Sequence, residues 1–378
     1  MPERKLEVVG NYEGLRGINV GYTKICPVGE EGIGLSYRGY PIEILARNSN
    51  FEEVSYLLVH GGLPTQKQLR DWKSHIVDAR VIPKQIMDLL DNLPPTTHPM
   101  SVLRTGISTL GALEPEKDHE GVPQAIRILG ILPSLIGYWE TRRGIRDKQN
   151  FFDTNEDTIA GYLLQMLTGA SPDHLDREML DKSLILYAEH EFAASTFALR
   201  VCASTLADYY SCVATAIGTL SGPLNGGANE AAIKFMLQFT DADDAERGVR
   251  EKLANKELIF GFGHAVYAGH DPRSKIIKEI AENLSNARPK LKTLFEIATR
   301  IEEVMEEKGM YPNLDFYTST AYYMANIDIP LFTPIFVVSR FSGWAAHILE
   351  QRANNKLIRP TAEYIGPIDR NYIPIEKR

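Results

Sequence analysis

Two glycines, a histidine and an arginine lie close together in one stretch that could bind an anion and transfer a proton. Gly261 and Gly263 allow a tight backbone turn next to a ligand, and His264 follows at once. Arg273, further along, supplies a planar guanidinium for an oxyanion. The spacing matches neither the phosphate-binding loop nor the dinucleotide fingerprint, so an ordinary loop above a packed histidine stays open as an alternative.

Other polar groups stand out because their sequence neighbours are apolar. Asp315 is flanked by apolar and aromatic residues, where desolvation should raise its pKa and make it a usable base. Arg340 lies in an apolar stretch and needs a carboxylate from the protein or from a ligand. His190 is at helical spacing from apolar residues, and either a core histidine or a group delivered to a buried site fits this pattern.

A glycine pair after Asn225 precedes a predicted helix. Gly226 and Gly227 would leave backbone amides unpaired at the positive end of that helix, which suits an oxyanion or phosphate, although a plain helix-breaking loop is equally open. Arg359 adds a third arginine near the C-terminus. Three arginines with histidines would fit a small dicarboxylate, and a base with a proton donor suggests abstraction of a carbon-bound proton and attack on a carbonyl.

The elements that must position these groups are predicted to be mainly helices, after a short β segment in residues 18–40 with one run around Val20 and a second around Tyr37. Between Asp181 and Ile217 there is no proline or glycine, and apolar residues occupy every face, which predicts a helix in the core of a large helical protein. Other helical patterns cover 51–60, 65–79, 83–92, 98–112, 122–142, 158–167, 243–255, 273–285, 290–308 and 331–354.

The composition changes along the chain from a densely apolar middle to a more solvated segment. This change predicts a large helical domain in residues 1–221, a small domain in 222–321, and a return to the large domain with a C-terminal tail in 322–378.

The overall composition excludes several classes of protein. The 378 residues carry a formal net charge of −8 without a long basic run, which argues against a general nucleic-acid binder. The charged N-terminus does not resemble a signal peptide, and three scattered cysteines predict a reduced, cytoplasmic compartment and no membrane partner. None of the nine histidines pairs with another at one-turn ligand spacing, which disfavours a metal hydrolase. The glycines near 261 are not surrounded by alternating strands and helices, which disfavours a nicotinamide dehydrogenase.

From about residue 10 to the end, the sequence resembles the citrate synthase family. Six ordered motifs carry the resemblance: Ala188 to Phe197, Ser221 to Glu230, Gly261 to Arg273, Pro312 to Asp315, Ser339-Arg340 and Arg359-Pro360. Within the family, the resemblance is closer to the 2-methylcitrate synthases, which join propionyl-CoA rather than acetyl-CoA to oxaloacetate. It is carried by Asn11-Tyr12, Gly14 to Gly17, Thr97 to Met100, Leu103 to Gly106 and Gly366-Pro367.

The resemblance implies a nearly all-helical homodimer in which the small domain, residues 222–321, closes over the active site. It also implies acyl-CoA as a co-substrate, with no metal and no permanently bound cofactor. Asp315 resembles the base that takes the proton next to the thioester, and His264 the acid that protonates the ketone of oxaloacetate. The groups that resemble the oxaloacetate clamps are His190, Arg273, Arg340 and, from the other subunit, Arg359. The loop that resembles the coenzyme A site consists of Ile259, Phe260, Gly261, Phe262 and Gly263.

Two positions depart from the family pattern. Asn225 stands where the family has a histidine that donates to the thioester oxygen, and Ala193 stands where it has an asparagine. An asparagine amide also donates hydrogen bonds, and a lost oxyanion donor typically costs roughly 10² to 10³ in rate, so the hypothesis is reduced but not absent condensation. The alternatives are a citrate synthase that uses acetyl-CoA and a non-catalytic binder of both substrates.

Overall fold

The fold is mainly α-helical, as the sequence predicts. The computed structural model describes residues 13–15, 17–29, 34–117, 121–142, 144, 154–263, 266–267 and 269–378. The helices in the first half of the chain are α1 Ile42–Asn48, α2 Phe51–His60, α3 Gln66–Asp78, α4 Lys84–Asp91, α5 Pro99–Leu113, α6 Val122–Arg142, α7 Ile159–Thr168 and α8 His174–Tyr187. Those in the second half are α9 Ala194–Ser204, α10 Tyr209–Leu220, α11 Ala228–Met236, α12 Ala242–Ala254, α13 Ser274–Ala287, α14 Lys292–Glu306, α15 Leu314–Met324 and α16 Phe332–Ala353.

Local sequence signals set many of the helix ends. The Thr65 side chain accepts a hydrogen bond from the Gln68 amide, and the Gln68 side chain accepts one from the Thr65 amide, so a capping box begins α3. Gly61 ends α2 with φ of 83°, a left-handed conformation that glycine adopts without steric cost. These ends agree with the sequence prediction because caps are read from neighbouring residues.

The predicted β segment is only partly correct. Strands β1 (Ser36–Tyr37) and β2 (Tyr40–Pro41) form a small antiparallel hairpin, with Ser36 opposite Pro41 and Tyr37 opposite Tyr40. The first predicted run, around Val20, forms no strand. Part of its backbone is bound to a side chain instead: the Lys24 amide donates to the Glu350 carboxylate at 2.7 Å. The Tyr22 side chain is 97% exposed.

The single helix predicted between Asp181 and Ile217 is wrong. Turns at 188–193 and 205–208 divide this stretch into α8, α9 and α10. Tertiary contacts and caps stop the helices without glycine or proline. The buried Tyr37 hydroxyl donates to the carbonyls of Ile185 and Leu186 at the end of α8, and the Asp208 side chain caps α10.

Helix α16 forms the centre of the core and packs against α2, α6, α8, α9 and α10. The segment Ile329–Ala353 is long and apolar enough to cross a membrane, but 89% of its apolar window is buried inside the protein, as in a core helix. Gly343 allows close approach on one side, because a Cβ atom there would lie 2.4 Å from the Ala188 carbonyl oxygen. The turn between α8 and α9 therefore lies directly on α16.

A second group of helices supports the other side of the candidate site. Helix α12 packs against α14, and α15 packs against α11 and α13. Helices α13 and α15 also contact α8. The start of α15, where Asp315 lies, is thereby brought to the end of α8.

Candidate active site

Asp315 lies in the first turn of α15, where the Asn313 side chain accepts a hydrogen bond from its amide at 3.0 Å. The Tyr187 hydroxyl donates to Asp315 Oδ1 at 2.5 Å. The carboxylate is only partly open to solvent and is otherwise surrounded by protein. Burial raises its pKa to about 6, although the Tyr187 hydrogen bond and the charges of Arg273 and Arg340 act in the opposite direction. A carboxylate with this pKa is suited to general-base chemistry near neutral pH.

Arg273 forms a buried pair with Asp271. Its Nε and Nη2 donate to the two carboxylate oxygens at 2.9 and 2.8 Å. Burial alone would lower the pKa of Arg273, but the charge and hydrogen bonds of Asp271 raise it above its ordinary value. Asp271 Oδ2 also accepts from the amide of Leu314 at 3.2 Å. Asp271 therefore fixes the arginine relative to the beginning of α15.

Arg340 lies at the centre of α16 and is buried. Its Nε donates to the Tyr187 carbonyl at 2.7 Å, and its guanidinium carbon lies 4.8 Å from the centroid of the Phe336 ring. Burial lowers its pKa, and the neighbouring charge of Arg273 lowers it further, whereas Glu189 raises it. The positive charges of Arg273 and Arg340 repel each other. An anion placed between the two guanidinium groups would stabilise both.

His190 lies in the turn between α8 and α9 and not in a helix. The prediction of helical spacing to its neighbours is therefore wrong, because α8 ends before it. The ring is buried, and Nε2 is 3.0 Å from the Tyr267 hydroxyl. The next residue, Glu191, has φ of 53°, a left-handed conformation that a non-glycine residue adopts at an energetic cost.

A buried network holds this turn from below. His347 of α16 approaches the carboxylate of Glu189 at 2.8 Å through Nε2, and Arg200 approaches His347 Nδ1 at 2.9 Å. A guanidinium only donates hydrogen bonds, so His347 Nδ1 must accept. The ring proton is therefore on Nε2, which donates a hydrogen bond to Glu189. Arg200 also binds Glu350 at 2.7 Å. The network ties α9, α16 and the N-terminal segment to the residue before His190.

The glycine loop is fixed against α15. Gly261 and Gly263 have φ of 92° and 73°, in the left-handed region, as their types predict. The Gly261 carbonyl accepts from the Asn313 amide at 2.9 Å, and a Cβ atom on Gly261 would lie 2.8 Å from the Phe316 ring. Ile259 is buried, and the rings of Phe262 and Phe316 pack with centroids 4.6 Å apart. The loop and Asp315 thus belong to one packed unit.

Asn225 lies in the turn before α11, where its amide donates to the Gly222 carbonyl at 3.0 Å. Its side chain is half-buried. Gly227 is the N-cap of α11 and has no side chain to cap it, but the Glu230 amide in the first turn already donates to Asn229 Oδ1 at 2.7 Å. That the glycine pair leaves amides for an oxyanion stays a prediction. Ala193 likewise provides no side-chain cap for α9.

The structure brings together only part of the predicted site. Arg273 and Arg340 lie close enough to Asp315 for their charges to lower its pKa, and the charge of Arg273 also lowers the pKa of Arg340. Arg359 is exposed in the C-terminal tail, so its place in the site stays a prediction. His264 lies outside the described residues, so its position relative to the cluster stays a prediction.

Sequence analysis missed three residues that act on the predicted ones. Tyr187 binds Asp315, Asp271 binds Arg273, and Glu189 lies beside Arg340. Asp271 could have been found from its place two residues before an arginine. Among the described residues, no group of three or more His, Cys, Asp or Glu side chains could hold a metal ion.

Cavity size does not mark this cluster. A surface cavity of about 570 Å³ between α13 and α14 shares no lining residue with it. The cluster is instead distinguished by its chemistry: a partly desolvated carboxylate that can accept a proton lies beside two buried arginines that can hold a carboxylate or dicarboxylate.

Comparisons with known proteins identify the family of this chain. The family described as "Citrate synthase, C-terminal domain" matches residues 14–361. The chain is 46% identical to a 2-methylcitrate synthase of Shewanella oneidensis, with 97% of each chain covered, and 41% identical to citrate synthase 2 of Bacillus subtilis, with 97% of this chain and 98% of the other covered. It superimposes on a Thermoplasma acidophilum citrate synthase, solved with carboxymethyl coenzyme A and oxaloacetate, with a TM-score of 0.90 and 32% identity over 98% of this chain and 100% of the other.

These matches extend over nearly the whole length of the chain and include the segments that form the cluster. With a family match from residue 14 to residue 361, the chain belongs to the citrate synthase family.

Proposed function

We propose that this protein is a 2-methylcitrate synthase, which condenses propionyl-CoA with oxaloacetate and water to give 2-methylcitrate and CoA. The observation that carries the proposal is the Asp315 carboxylate, with a pKa raised to about 6, next to Arg273 and Arg340. The 46% identity to a 2-methylcitrate synthase supports the choice of propionyl-CoA.

The reaction begins with removal of a proton from the carbon next to the thioester. Asp315 takes this proton, and the C–H electron pair forms the enolate. The enolate carbon then attacks the ketone carbon of oxaloacetate, forming the C–C bond while His264 protonates the ketone oxygen. Water finally cleaves the thioester and releases CoA with a thiol proton.

The anion-binding groups hold oxaloacetate for this attack. Arg273 and Arg340 each donate to a carboxylate, and His190 donates to the ligand from the turn that Tyr267 supports. The loop Ile259–Gly263 binds coenzyme A through its backbone, on the same packed unit as the base. Holding both substrates near the base lowers the entropic part of the barrier.

Asn225 is proposed to donate its side-chain amide to the thioester oxygen as the enolate develops. It is shorter than the histidine that it replaces, so the donor is expected to be longer or less well aligned. The proposed consequence is turnover reduced by roughly 10² to 10³ relative to a histidine at this position.

The small domain, residues 222–321, is proposed to close over the substrates and exclude water until condensation is complete. The proposed assembly is a cytoplasmic homodimer in which Arg359 of each tail completes the neighbouring site. Support for the assembly comes from the tail itself, whose residues from 359 onward are exposed and include Tyr364 and Ile365. Exposed large apolar side chains of this kind are expected to be covered by another surface.

A citrate synthase that uses acetyl-CoA is the second candidate, because similar relatives such as citrate synthase 2 of Bacillus subtilis carry that name. The two acyl groups differ by one methylene, which is worth about 1 to 3 kcal/mol in an apolar pocket. The candidates therefore differ in preference and not in mechanism.

The deciding experiment measures release of free CoA with a thiol reagent, using oxaloacetate with either propionyl-CoA or acetyl-CoA. The variants are the present chain and Asn225→His. A higher kcat/KM with propionyl-CoA supports the proposal, and a higher value with acetyl-CoA supports the second candidate. Turnover by Asn225→His alone would identify a disabled synthase, and turnover by neither variant would contradict the proposed site.

A further inference from the structure

Tyr187 is the last residue of α8 and connects the two halves of the candidate site. Its hydroxyl donates to Asp315 Oδ1 at 2.5 Å, and its backbone carbonyl accepts from Arg340 Nε at 2.7 Å. The side chain is 2% exposed, and its ring packs against Phe336 with centroids 4.3 Å apart. One residue thus contacts both the base and an arginine of the site.

We propose that Tyr187 is a positioning residue that fixes the Asp315 carboxylate by binding Oδ1 and presents Oδ2 to the carbon-bound proton. This inference rests on the proposed function, because it assumes that Asp315 is the base. Oδ2 makes no hydrogen bond to any residue that the structure describes, so it is the oxygen left to accept the proton. A carboxylate held through one oxygen keeps the other in a defined direction.

The hydrogen bond also determines the charge of the base. A donor to the ionised carboxylate stabilises that form and lowers the pKa, against the larger effect of burial. The tyrosine itself remains a donor throughout the useful pH range, because burial and the charge of Asp315 raise the pKa of its hydroxyl well above the ordinary value.

Titratable and charged groups from several neighbouring elements surround Asp315. Those that face Asp315 are Arg273 and Asp271 from the segment before α13, Arg340 from α16, Tyr187 from α8 and Tyr322 from α15 itself. The acidic groups on α11 and α14 have other partners: Glu230 binds Thr333, and Glu302 binds Tyr317. Among these groups, Tyr187 is the one that donates a hydrogen bond to the Asp315 carboxylate from a neutral side chain.

The chain offers a matched control in Tyr322. This residue is also buried, and its hydroxyl lies 2.5 Å from the Ser183 hydroxyl and not on the base. Tyr187→Phe and Tyr322→Phe each remove one buried hydroxyl and retain the ring. A loss of stability common to both variants is therefore separated from an effect on the base.

The test is the pH dependence of kcat/KM for the acyl-CoA, measured in whichever of the present chain and Asn225→His turns over faster. In Tyr187→Phe we expect the acidic limb to move about one pH unit upward, with kcat about 10 to 100-fold lower. The KM for oxaloacetate should stay within about twofold, because the carbonyl that binds Arg340 is retained. Tyr322→Phe should keep the parental limb. A Tyr187→Phe limb that superimposes on the parental one would overturn the proposal.

A second measurement does not require turnover. Protein labelled with ¹³C at the aspartate carboxyl is titrated by NMR, and the Asp315 resonance is the one absent from Asp315→Asn. Its pKa should rise in Tyr187→Phe and stay unchanged in Tyr322→Phe; an unchanged value in Tyr187→Phe would contradict the inference. If Asp315→Asn instead retains parental turnover, the proposed function fails independently of Tyr187.

Discussion

At the residue scale, the raised pKa of Asp315 suits the role of base proposed for it but lowers the stability of the folded protein above pH 6. Its pKa in the folded protein is about 6, above the ordinary value of 3.8, because burial favours the protonated form. The folded state therefore binds this proton more tightly than the unfolded state does. The contribution of Asp315 to the free energy of unfolding accordingly falls as the pH rises from about 4 to about 6, and it stays low above that range.

Asp315→Asn should remove this dependence on pH. We expect the variant to be more stable than the parent above pH 6 and equal to it near pH 4, while its turnover is lost. Urea unfolding at the two pH values measures the difference. Asp88→Asn, which removes only the exposed pair with Lys84, is the control and should have the same pH slope as the parent. If Asp315→Asn keeps the parental pH dependence of the free energy of unfolding, burial does not raise the pKa of this carboxylate.

At the element scale, the turn between α8 and α9 depends on charges supplied by other helices. Arg200 binds Glu350 and fixes the tautomer of His347, which in turn holds Glu189. Glu189 and His347 are fully buried. A buried charge that loses its partner is expected to be costly, because neither water nor another group replaces the interaction.

Arg200→Met should therefore destabilise the protein by about 3 to 5 kcal/mol, since the methionine fills similar space but leaves Glu350 and His347 without the guanidinium. Equilibrium unfolding in urea provides the measurement. The matched control is Arg47→Met, which removes an exposed ion pair with Glu279 and should change stability by less than about 1 kcal/mol. Equal effects of the two substitutions would mean that the buried network contributes little.

The elements differ in how far the sequence predicts them. Helix α3 was predictable because Thr65 and Gln68 form its cap within one turn of chain. The division of α8 from α9 was not predictable, because the hydroxyl that donates to the last carbonyls of α8 belongs to Tyr37, which is far away in the sequence. At the site, glycine types predict the left-handed loop at Gly261, whereas the contact between Tyr187 and Asp315 joins residues 128 positions apart and leaves no local signal.

At the scale of the whole molecule, the C-terminal tail is the part that a single chain does not explain. Ile358 is still anchored, because its amide donates to Ser204 Oγ at 3.0 Å, but the chain beyond it is exposed. Arg359 is therefore a surface residue in the single chain, whereas the family resemblance assigns it to a substrate-binding cluster. The proposed dimer resolves this difference by placing Arg359 in the neighbouring site.

Mixed dimers test this arrangement. Arg359→Ala and Asp315→Asn should each be nearly inactive alone, whereas refolding them together forms hybrid dimers in which one site has both intact residues. If subunits pair at random, about a quarter of the parental sites are restored, since half of the dimers are hybrids with one complete site each. Release of CoA is the measurement. A mixture no more active than the sum of its parts would mean that Arg359 does not act across subunits.

The double contact of Tyr187 has a consequence for how such an enzyme can change. The group that binds Arg340 is a main-chain carbonyl, which every amino acid supplies, whereas the group that binds Asp315 is a side chain. Substitution at position 187 can therefore alter the acidity of the base while the arginine keeps its place. Substitution at position 187, in evolution or in engineering, could therefore change the pH optimum of the proposed reaction without changing how Arg340 binds the dicarboxylate.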